Sequence, residues 1–514
     1  MSADLLFKAL ESRAAVQPDA AVLVGDRQTW RAGALLAAID ELATRLTPSR
    51  AIAVLADNGP AWAMTDLAAL RAQIPHIPLP GFFSPEQLAH VLDQAGVDTV
   101  LTDQPERIGA LDAGFSITGQ WNGLIWMRRP LSTEEATTQL PAGTAKVSFT
   151  SGSTGNPKGA CLSANGLIDT AAAVAARLAD LPIERHLVTL PLALLLENSA
   201  GIYAPLLRGA EIHLPGLQTL GWKGMAGFDP AALQKIAGTI RPSSMILVPE
   251  LLKAWTLYLA ASGQKAPASL SFVAVGGARV DAEALALARA LGLPAYQGYG
   301  LTECGSVVSL NRPGDDSNDV GRPLGHVTVR SVGGEIVIRT RAFLGYIGYI
   351  GDVGTADADD AEEFATGDLG HLDANGHLHL SGRRKNLLIS SYGRNIAPEW
   401  IEATLLAQPI ILQAVVAGDA RPWLSAVLVT PPGTTTAAIA AAVARANDAL
   451  PDYARIGHWI AADAPFALQN GLATGNGRPQ RSAILSRYAD ALATGYAATH
   501  SEQCPTKETA DVLL

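Results

Sequence analysis

Short apolar runs alternate with helical stretches through the first three hundred residues, and this pattern limits the folds available. Helical spacing covers residues 4–15, 31–46 and 60–73, with apolar strands at 21–24, 51–56 and 99–102 between and after them. Ser84-Pro85-Glu86-Gln87 reads as a capped helix start, with Ser as N-cap, Pro in the first turn and Gln three residues on. After an interruption the alternation resumes: helix 163–179, strand 186–190, helix 197–207, strand 211–214, helix 230–239, strand 244–248, helix 249–262, strand 272–275 and helix 281–291. Strand–helix alternation with short connections predicts open, mostly parallel sheets with helices on both faces, here two such doubly wound units. From about residue 320 short alternating strands, 334–339 and 376–380, predict a β-rich subdomain. Beyond Arg384 a strand (387–390), a helix from Pro398, strands at 413–416 and 424–430 and helices at 435–449 and 481–493 predict a small α+β domain. The expected organisation is a large domain over 1–384, a small mobile one over 385–498 and a disordered polar tail over 499–514. Residues 104–144 read as an irregular surface passage.

A chain of 514 residues exceeds one ordinary core, and 48% hydrophobic residues make it globular. The net charge of −10 is spread along the chain and argues against nucleic acid as a partner. Three distant cysteines, Cys161, Cys304 and Cys504, exclude a disulfide framework and a cysteine-based zinc site, and fit a reducing cytoplasm. The first residues lack a signal-peptide pattern, and no run of about 18 uncharged apolar residues predicts a membrane span.

The interruption ends in Lys146-Val147-Ser148-Phe149-Thr150-Ser151-Gly152-Ser153-Thr154-Gly155-Asn156-Pro157-Lys158-Gly159, an apolar strand running into hydroxyls and glycines, then a lysine, then a helix from near Ser163. Glycines let successive backbone N–H groups turn toward one anion, hydroxyls add donors, and Lys158 adds a compact positive charge. The spacing is not that of a P-loop, and such a loop by itself is more often a flexible turn than a phosphate site. Further stretches stand out: Val275-Gly276-Gly277-Ala278 at a strand end, Gln297-Gly298-Tyr299-Gly300-Leu301-Thr302-Glu303, Thr366-Gly367-Asp368, Gly382-Arg383-Arg384-Lys385, and Tyr392-Gly393-Arg394-Asn395.

In this order, the motifs resemble those of the adenylate-forming superfamily: acyl- and aryl-CoA synthetases, the adenylation domains of nonribosomal peptide synthetases, and firefly-type luciferases. The resemblance covers roughly residues 10 to 495 and is strongest to the long-chain acyl-CoA synthetase branch, through Gly382–Leu387 and Asn470-Gly471-Leu472. It implies attack of a carboxylate on the α-phosphorus of ATP, release of pyrophosphate, and transfer of the acyl group from acyl-AMP to the thiol of CoA or a carrier-protein phosphopantetheine. By resemblance, Thr150, Ser151, Gly152, Ser153, Thr154, Gly155 and Lys158 hold the β- and γ-phosphates, Thr302 contacts a phosphate, and Glu303 binds Mg²⁺. One carboxylate suffices for Mg²⁺ when phosphates and water complete the shell. Gly277, Ala278 and Tyr299 would enclose adenine, Asp368 would accept both ribose hydroxyls, and Arg383 would add a donor. Lys385 would be the hinge of the small domain and Gly393 would line the pantetheine passage.

Two departures stand out. The lysine of the C-terminal signature is replaced by Arg478, in Thr474-Gly475-Asn476-Gly477-Arg478-Pro479. Arg keeps the charge but brings a larger, planar, more weakly hydrated head. In Pro191–Asn198, Leu194 stands where long-chain relatives often have His, and Asn198 where they often have Arg. Leu194, Leu195 and Leu196 suggest an apolar, fatty-type acid, and no Asp near Pro191 marks an amino-acid substrate. Alternatives are a ligase loading a carrier protein, a thiol-free use of acyl-AMP such as β-lactone closure, and a catalytically weakened nucleotide-binding or docking module. His371, His377 and His379 read as strand residues rather than a metal site.

Overall fold

The structure is a computed structural model that describes residues 4–130, 140–150, 157–223, 227–316, 319–348, 362–389, 391, 395–421, 423–474 and 477–498. The chain divides into two compact units, Met1–Leu380 and Ser381–Leu514.

Among the described residues the first unit holds three sheets. The first runs Phe343–Tyr346, Lys158–Ser163, Thr144–Thr150, His76–Pro78, Ile52–Leu55, Thr99–Thr102, Leu124–Arg128, Ser116–Trp121. Its middle pairs are parallel, but both ends are antiparallel hairpins, so it is mixed rather than mostly parallel. The second runs Arg322–Pro323, Ser309–Leu310, Ala295–Tyr299, Phe272–Val275, Ser244–Leu247, Arg185–Leu187, Glu211–Leu214, Ala21–Gly25, Thr29–Arg31, and is parallel except at its edges. Helices Ala32–Leu46, Pro60–Ala72 and Ala164–Arg177 bury Leu35, Ile39, Leu67, Leu167 and Ile168 in one core with residues of both sheets, such as Ile52, Leu162, Leu23 and Ile212. The third sheet, Thr328–Val332, Glu335–Thr340, Glu362–Leu372 and Leu378–Arg383, is the expected β-rich part.

Three expectations need correction. Residues 116–128 form a hairpin, not an irregular passage: Asn122 and Gly123 both take positive φ (45° and 86°), the turn geometry that asparagine–glycine pairs favour, and Trp121 and Trp126 are buried. The acidic stretch near Glu134 lies outside the described residues. The chain after Lys158 does not enter a helix directly, because Lys158–Ser163 is a strand antiparallel to Thr144–Thr150 and Ser163 then caps helix Ala164–Arg177. The segment read as helix 197–207 is three joined pieces: helix Leu195–Asn198, a π turn Ser199–Tyr203, and helix Ala204–Leu207. The Ser84 capping box forms as read, Gln87 returning a bond to the Ser84 backbone.

In the second unit, Leu424–Val429 pairs antiparallel with Gln413–Ala417 and parallel with Ile456–Ala461, a strand not anticipated. Alternation places Val416 and Leu428 on one face with Ile401, Leu405 and Val443, and Val415 and Val427 on the other with Ile484, Tyr488 and Leu492. The expected last helix is broken into Arg481–Arg487 and Ala489–Ala498.

Candidate active site

Ligands of open α/β sheets collect beyond the carboxyl ends of the parallel strands. There the second sheet delivers two adjacent segments. Strand Phe272–Val275 ends in Gly276-Gly277-Ala278, with Gly277 at φ 95° and Ala278 exposed. Strand Ala295–Tyr299 ends in Tyr299 and passes into a tight loop with the short helix Thr302–Cys304. The buried Gln297 side chain accepts the Val280 N–H at 3.3 Å, tying the two segments together.

The loop after Tyr299 is closed on itself. Val308 N–H donates to Tyr299 O at 2.8 Å and Ser306 N–H to Leu301 O at 3.0 Å. Gly300 is required by space, since a Cβ there would lie 1.6 Å from Ser306 O. Ser306, a non-glycine residue, takes φ 95°, so the turn is held against a backbone preference. Within this loop Glu303 receives the Tyr346 hydroxyl at 2.5 Å. Tyr346 comes from strand Phe343–Tyr346, which pairs with Lys158–Ser163, so the strand of Lys158 and the loop of Glu303 are linked through one side chain. Burial, then the Glu303 carboxylate, pushes the Tyr346 phenol up, and it stays a donor.

Asp368 reaches the same place from the third sheet. Between the pairs Val337↔Ala365 and Glu335↔Leu369 the strand Glu362–Leu372 carries extra residues, Thr366, Gly367 and Asp368 facing Ile336. Such a bulge re-aims a side chain. Gly367 takes φ 75°, its N–H bound by Glu335 at 2.9 Å, and the Thr366 hydroxyl is anchored on Ile336 O at 2.8 Å. Asp368, nearly buried, accepts the Tyr299 hydroxyl at 2.6 Å. Burial raises the Tyr299 phenol, and Asp368 raises it further. Aromatic plate and carboxylate, expected to hold base and ribose, are thus brought together.

Lys158 opens its strand at the surface, its backbone paired with that of Thr150. Gly159 behind it is closely packed, a Cβ there lying 2.9 Å from Val147, Phe149 and Ile347. Ser151, Gly152, Ser153, Thr154 and Gly155 lie outside the described residues, as does Gly393. Leu196 packs against the first glycine of the Gly276-Gly277-Ala278 loop, its Cδ2 being 3.3 Å from where a Gly276 Cβ would sit. Beneath it the Glu197 carboxylate, fully buried, accepts Leu190 N–H at 2.9 Å and fixes this wall. In the second unit, Arg383 ends strand Leu378–Arg383 and Lys385 lies in the short helix Arg384–Asn386. Arg478 stands exposed on a turn closed by Thr474 N–H to Arg478 O at 2.8 Å.

Sequence reasoning missed Tyr346 and the bulge. Tyr346 gave no signal beyond an aromatic in a strand, whereas Thr-Gly-Asp was visible but its aim was not. Among the described residues no group of three or more His, Cys, Asp or Glu is placed to hold a metal by itself. His377 instead lies 2.9 Å from Asp319 and 2.8 Å from Asp315, and His371 stacks on His379. Glu303 fits a magnesium bound chiefly by phosphate: a hard oxygen donor, oriented by Tyr346, beside a hydroxyl residue. Among the described residues no helix is long and apolar enough to cross a membrane.

A model of the AMP-binding enzyme family matches residues 10–344, and one of the AMP-binding enzyme C-terminal domain matches 385–500. A long-chain-fatty-acid–CoA ligase of Mycobacterium bovis is 35% identical over 160 residues, covering 30% of this chain and 26% of that protein. A 2-succinylbenzoate–CoA ligase of Bacillus velezensis is 30% identical over 297 residues, covering 54% and 56%. The chain thus matches between about a quarter and just over half of the length of these curated relatives. In fold, it superposes on the O-succinylbenzoate CoA synthetase of Bacillus subtilis, solved with ATP and a magnesium ion, with a TM-score of 0.71, 20% identity, and coverage of 92% of this chain and 98% of that one.

Proposed function

The chain belongs to the AMP-binding enzyme family, and from that membership we propose that it activates an apolar carboxylic acid with ATP and passes the acyl group to CoA. The observation that carries the reading is the contact of Tyr299 with Asp368 at the carboxyl end of a parallel strand, with Glu303 in the tight loop that follows. The strand end at Tyr299 and the loop after it offer a flat ring for a base and, four residues beyond the ring, a carboxylate for a phosphate-bound cation, and the bulge of strand Glu362–Leu372 adds a carboxylate with acceptor capacity for ribose hydroxyls.

In this reading the acid's carboxylate oxygen attacks the α-phosphorus and the bond to the β-phosphate oxygen breaks. Acyl-AMP and pyrophosphate result. Little covalent work falls to the protein, so positioning and charge stabilisation carry the rate. Magnesium, when bound, would neutralise charge on the phosphates. Glu303, oriented by Tyr346, would hold it; Thr302 and Lys158 would contact phosphate oxygens, with the Thr150–Gly155 segment. Asp368 and Tyr299, with Gly277 and Ala278, would hold the nucleoside, and Leu194 and Leu196 would face the acid. Arg383, Lys385, Gly393 and Arg478 are proposed as the second unit's contribution to nucleotide contact, hinge, thiol passage and carboxylate bridging.

The test is pyrophosphate release with ATP, Mg²⁺ and a panel of fatty and aromatic acids, with and without CoA. Release that rises with CoA, matched by thiol loss, supports the ligase and identifies the acid class. Release without thiol loss overturns CoA as acceptor. No release with any acid from protein that binds ATP overturns acid activation.

A further inference from the structure

Five polar side chains that this chemistry does not use meet at the centre of the first unit. They are Lys146 from strand Thr144–Thr150, Asp66 from helix Pro60–Ala72, His76 from the neighbouring strand, Asn198 at the end of helix Leu195–Asn198, and Tyr203 at the end of the π turn. None is more than 2% exposed. Asp66 takes four donors: Lys146 Nζ (2.7 Å) and His76 Nδ1 (2.5 Å) on Oδ1, Asn198 Nδ2 (2.7 Å) and the Tyr203 hydroxyl (2.6 Å) on Oδ2. Lys146 uses its three N–H groups on Asp66, on Asn198 Oδ1 and on the Tyr203 oxygen at 3.0 Å. Burial would raise the Asp66 carboxyl, but Lys146 and then His76 outweigh it and keep it ionised, while burial holds His76 neutral. The cluster is one anion, one cation and neutral partners, with the donors of lysine and the acceptor sites of aspartate all filled.

Such an arrangement is a costly way to gain stability. Burying an ion pair strips water from both ions at a large cost, and well-packed apolar residues do as well or better. Apolar contacts, however, are not directional. Lys146 lies four residues before Thr150 on the strand that runs into the glycine-rich segment, and Asn198 two residues after Leu196 on the acid-side wall. Both are locked to the same carboxylate. Position 198, where the resemblance leads one to expect Arg, carries a neutral partner, and the cation comes from the strand instead.

We propose that Lys146 and Asn198, joined through Asp66, are positioning residues that hold the strand entering the phosphate-side loop and the Leu194–Leu196 wall in one register. The register fixes the approach of the acid to the α-phosphate. This inference rests on the acid-activation reading.

The test uses the full chain carrying Lys146→Met together with Asp66→Asn, which removes both charges at little change of volume, and Asn198→Ala, which keeps the ion pair but removes the two bonds that join it to the residue nearest the wall. Lys146→Met by itself leaves Asp66 buried without its cation and should lower the denaturation midpoint most, the double variant much less. In both the double variant and Asn198→Ala, kcat for pyrophosphate release should fall about tenfold or more while KM for ATP and acid stays within about threefold. A folded double variant with unchanged kcat overturns the proposal and leaves a merely structural cluster. Amide hydrogen exchange at residues 147–150 and 194–198 decides independently of turnover. Faster exchange in both segments at preserved global stability supports the shared register, and faster exchange in neither overturns it. Wild-type protein that releases no pyrophosphate would refute the activity reading, and the exchange experiment would still judge the register.

Discussion

Replacing Gly300 by alanine adds one methyl group where the loop after Tyr299 folds back on itself. Its Cβ would stand 1.6 Å from Ser306 O, 2.5 Å from Ser306 C and 3.0 Å from Val307 Cα. An ordinary carbon–oxygen contact begins near 3.3 Å, so the two sides of the loop must part by about 1.7 Å. Both neighbours are backbone, so no rotamer change relieves the clash. The separation strains the bonds Val308 N–H to Tyr299 O and Ser306 N–H to Leu301 O, whose loss costs about 1–3 kcal/mol together. It also moves Tyr299 relative to Thr302 and Glu303. Displacements of about 1 Å in a positioning element cost on the order of 100-fold in rate, or about 2.7 kcal/mol of transition-state stabilisation. Gly300→Ala is therefore expected to stay folded, with a thermal midpoint a few degrees lower, and to lose at least about 100-fold in kcat/KM for pyrophosphate release. Steady-state release together with calorimetric titration of AMP checks it. Activity within about threefold of wild type in a folded variant would show that the loop yields without moving the groups around it, and the reasoning would fail.

Three further outcomes are expected. Gly238→Ala, exposed in the last turn of helix Pro230–Ile240 with nothing within 4 Å of the new methyl, should stabilise the protein by up to about 1 kcal/mol without changing turnover, read by urea denaturation. Tyr346→Phe removes the hydroxyl that orients Glu303 and should raise the Mg²⁺ concentration for half-maximal pyrophosphate release by about 10-fold or more, read by a magnesium titration. Burial, opposed by Asp169, pushes His326 down to about 4, so between roughly pH 6.5 and 4 the unfolded chain binds a proton that the folded one refuses. Stability should rise with pH through that window and be lost as pH falls toward 4, and His326→Gln should flatten the difference between denaturation midpoints at pH 4.5 and 7.

Much of the architecture lay in local signals: the Ser84 capping box, a helix beginning near Ser163, and the apolar strand Phe272–Val275 running into Gly276 and Gly277. What escaped was set by partners distant in sequence. The bulge that turns Asp368 toward Tyr299 depends on pairing with strand Glu335–Thr340. Tyr346 matters through a neighbour forty-three residues away, and Lys146 through Asp66, eighty residues earlier in the chain. The hairpin at 116–128 is a different failure. Its Asn122-Gly123 turn was written locally, but the polar, exposed outer strand Ser116–Trp121 lacked the apolar alternation of a sheet member.

The π turn at Ser199–Tyr203 closes with Ala204 N–H bonded to Ser199 O, one residue further back than in an α-helix. It amounts to a single-residue insertion that the helix has absorbed, and each residue of an α-helix advances the face by about 100°. A deletion here would restore regular helix and swing Tyr203 away from Asp66 by about that angle. The length of this segment is therefore set from outside, by a carboxylate more than a hundred residues earlier in the chain.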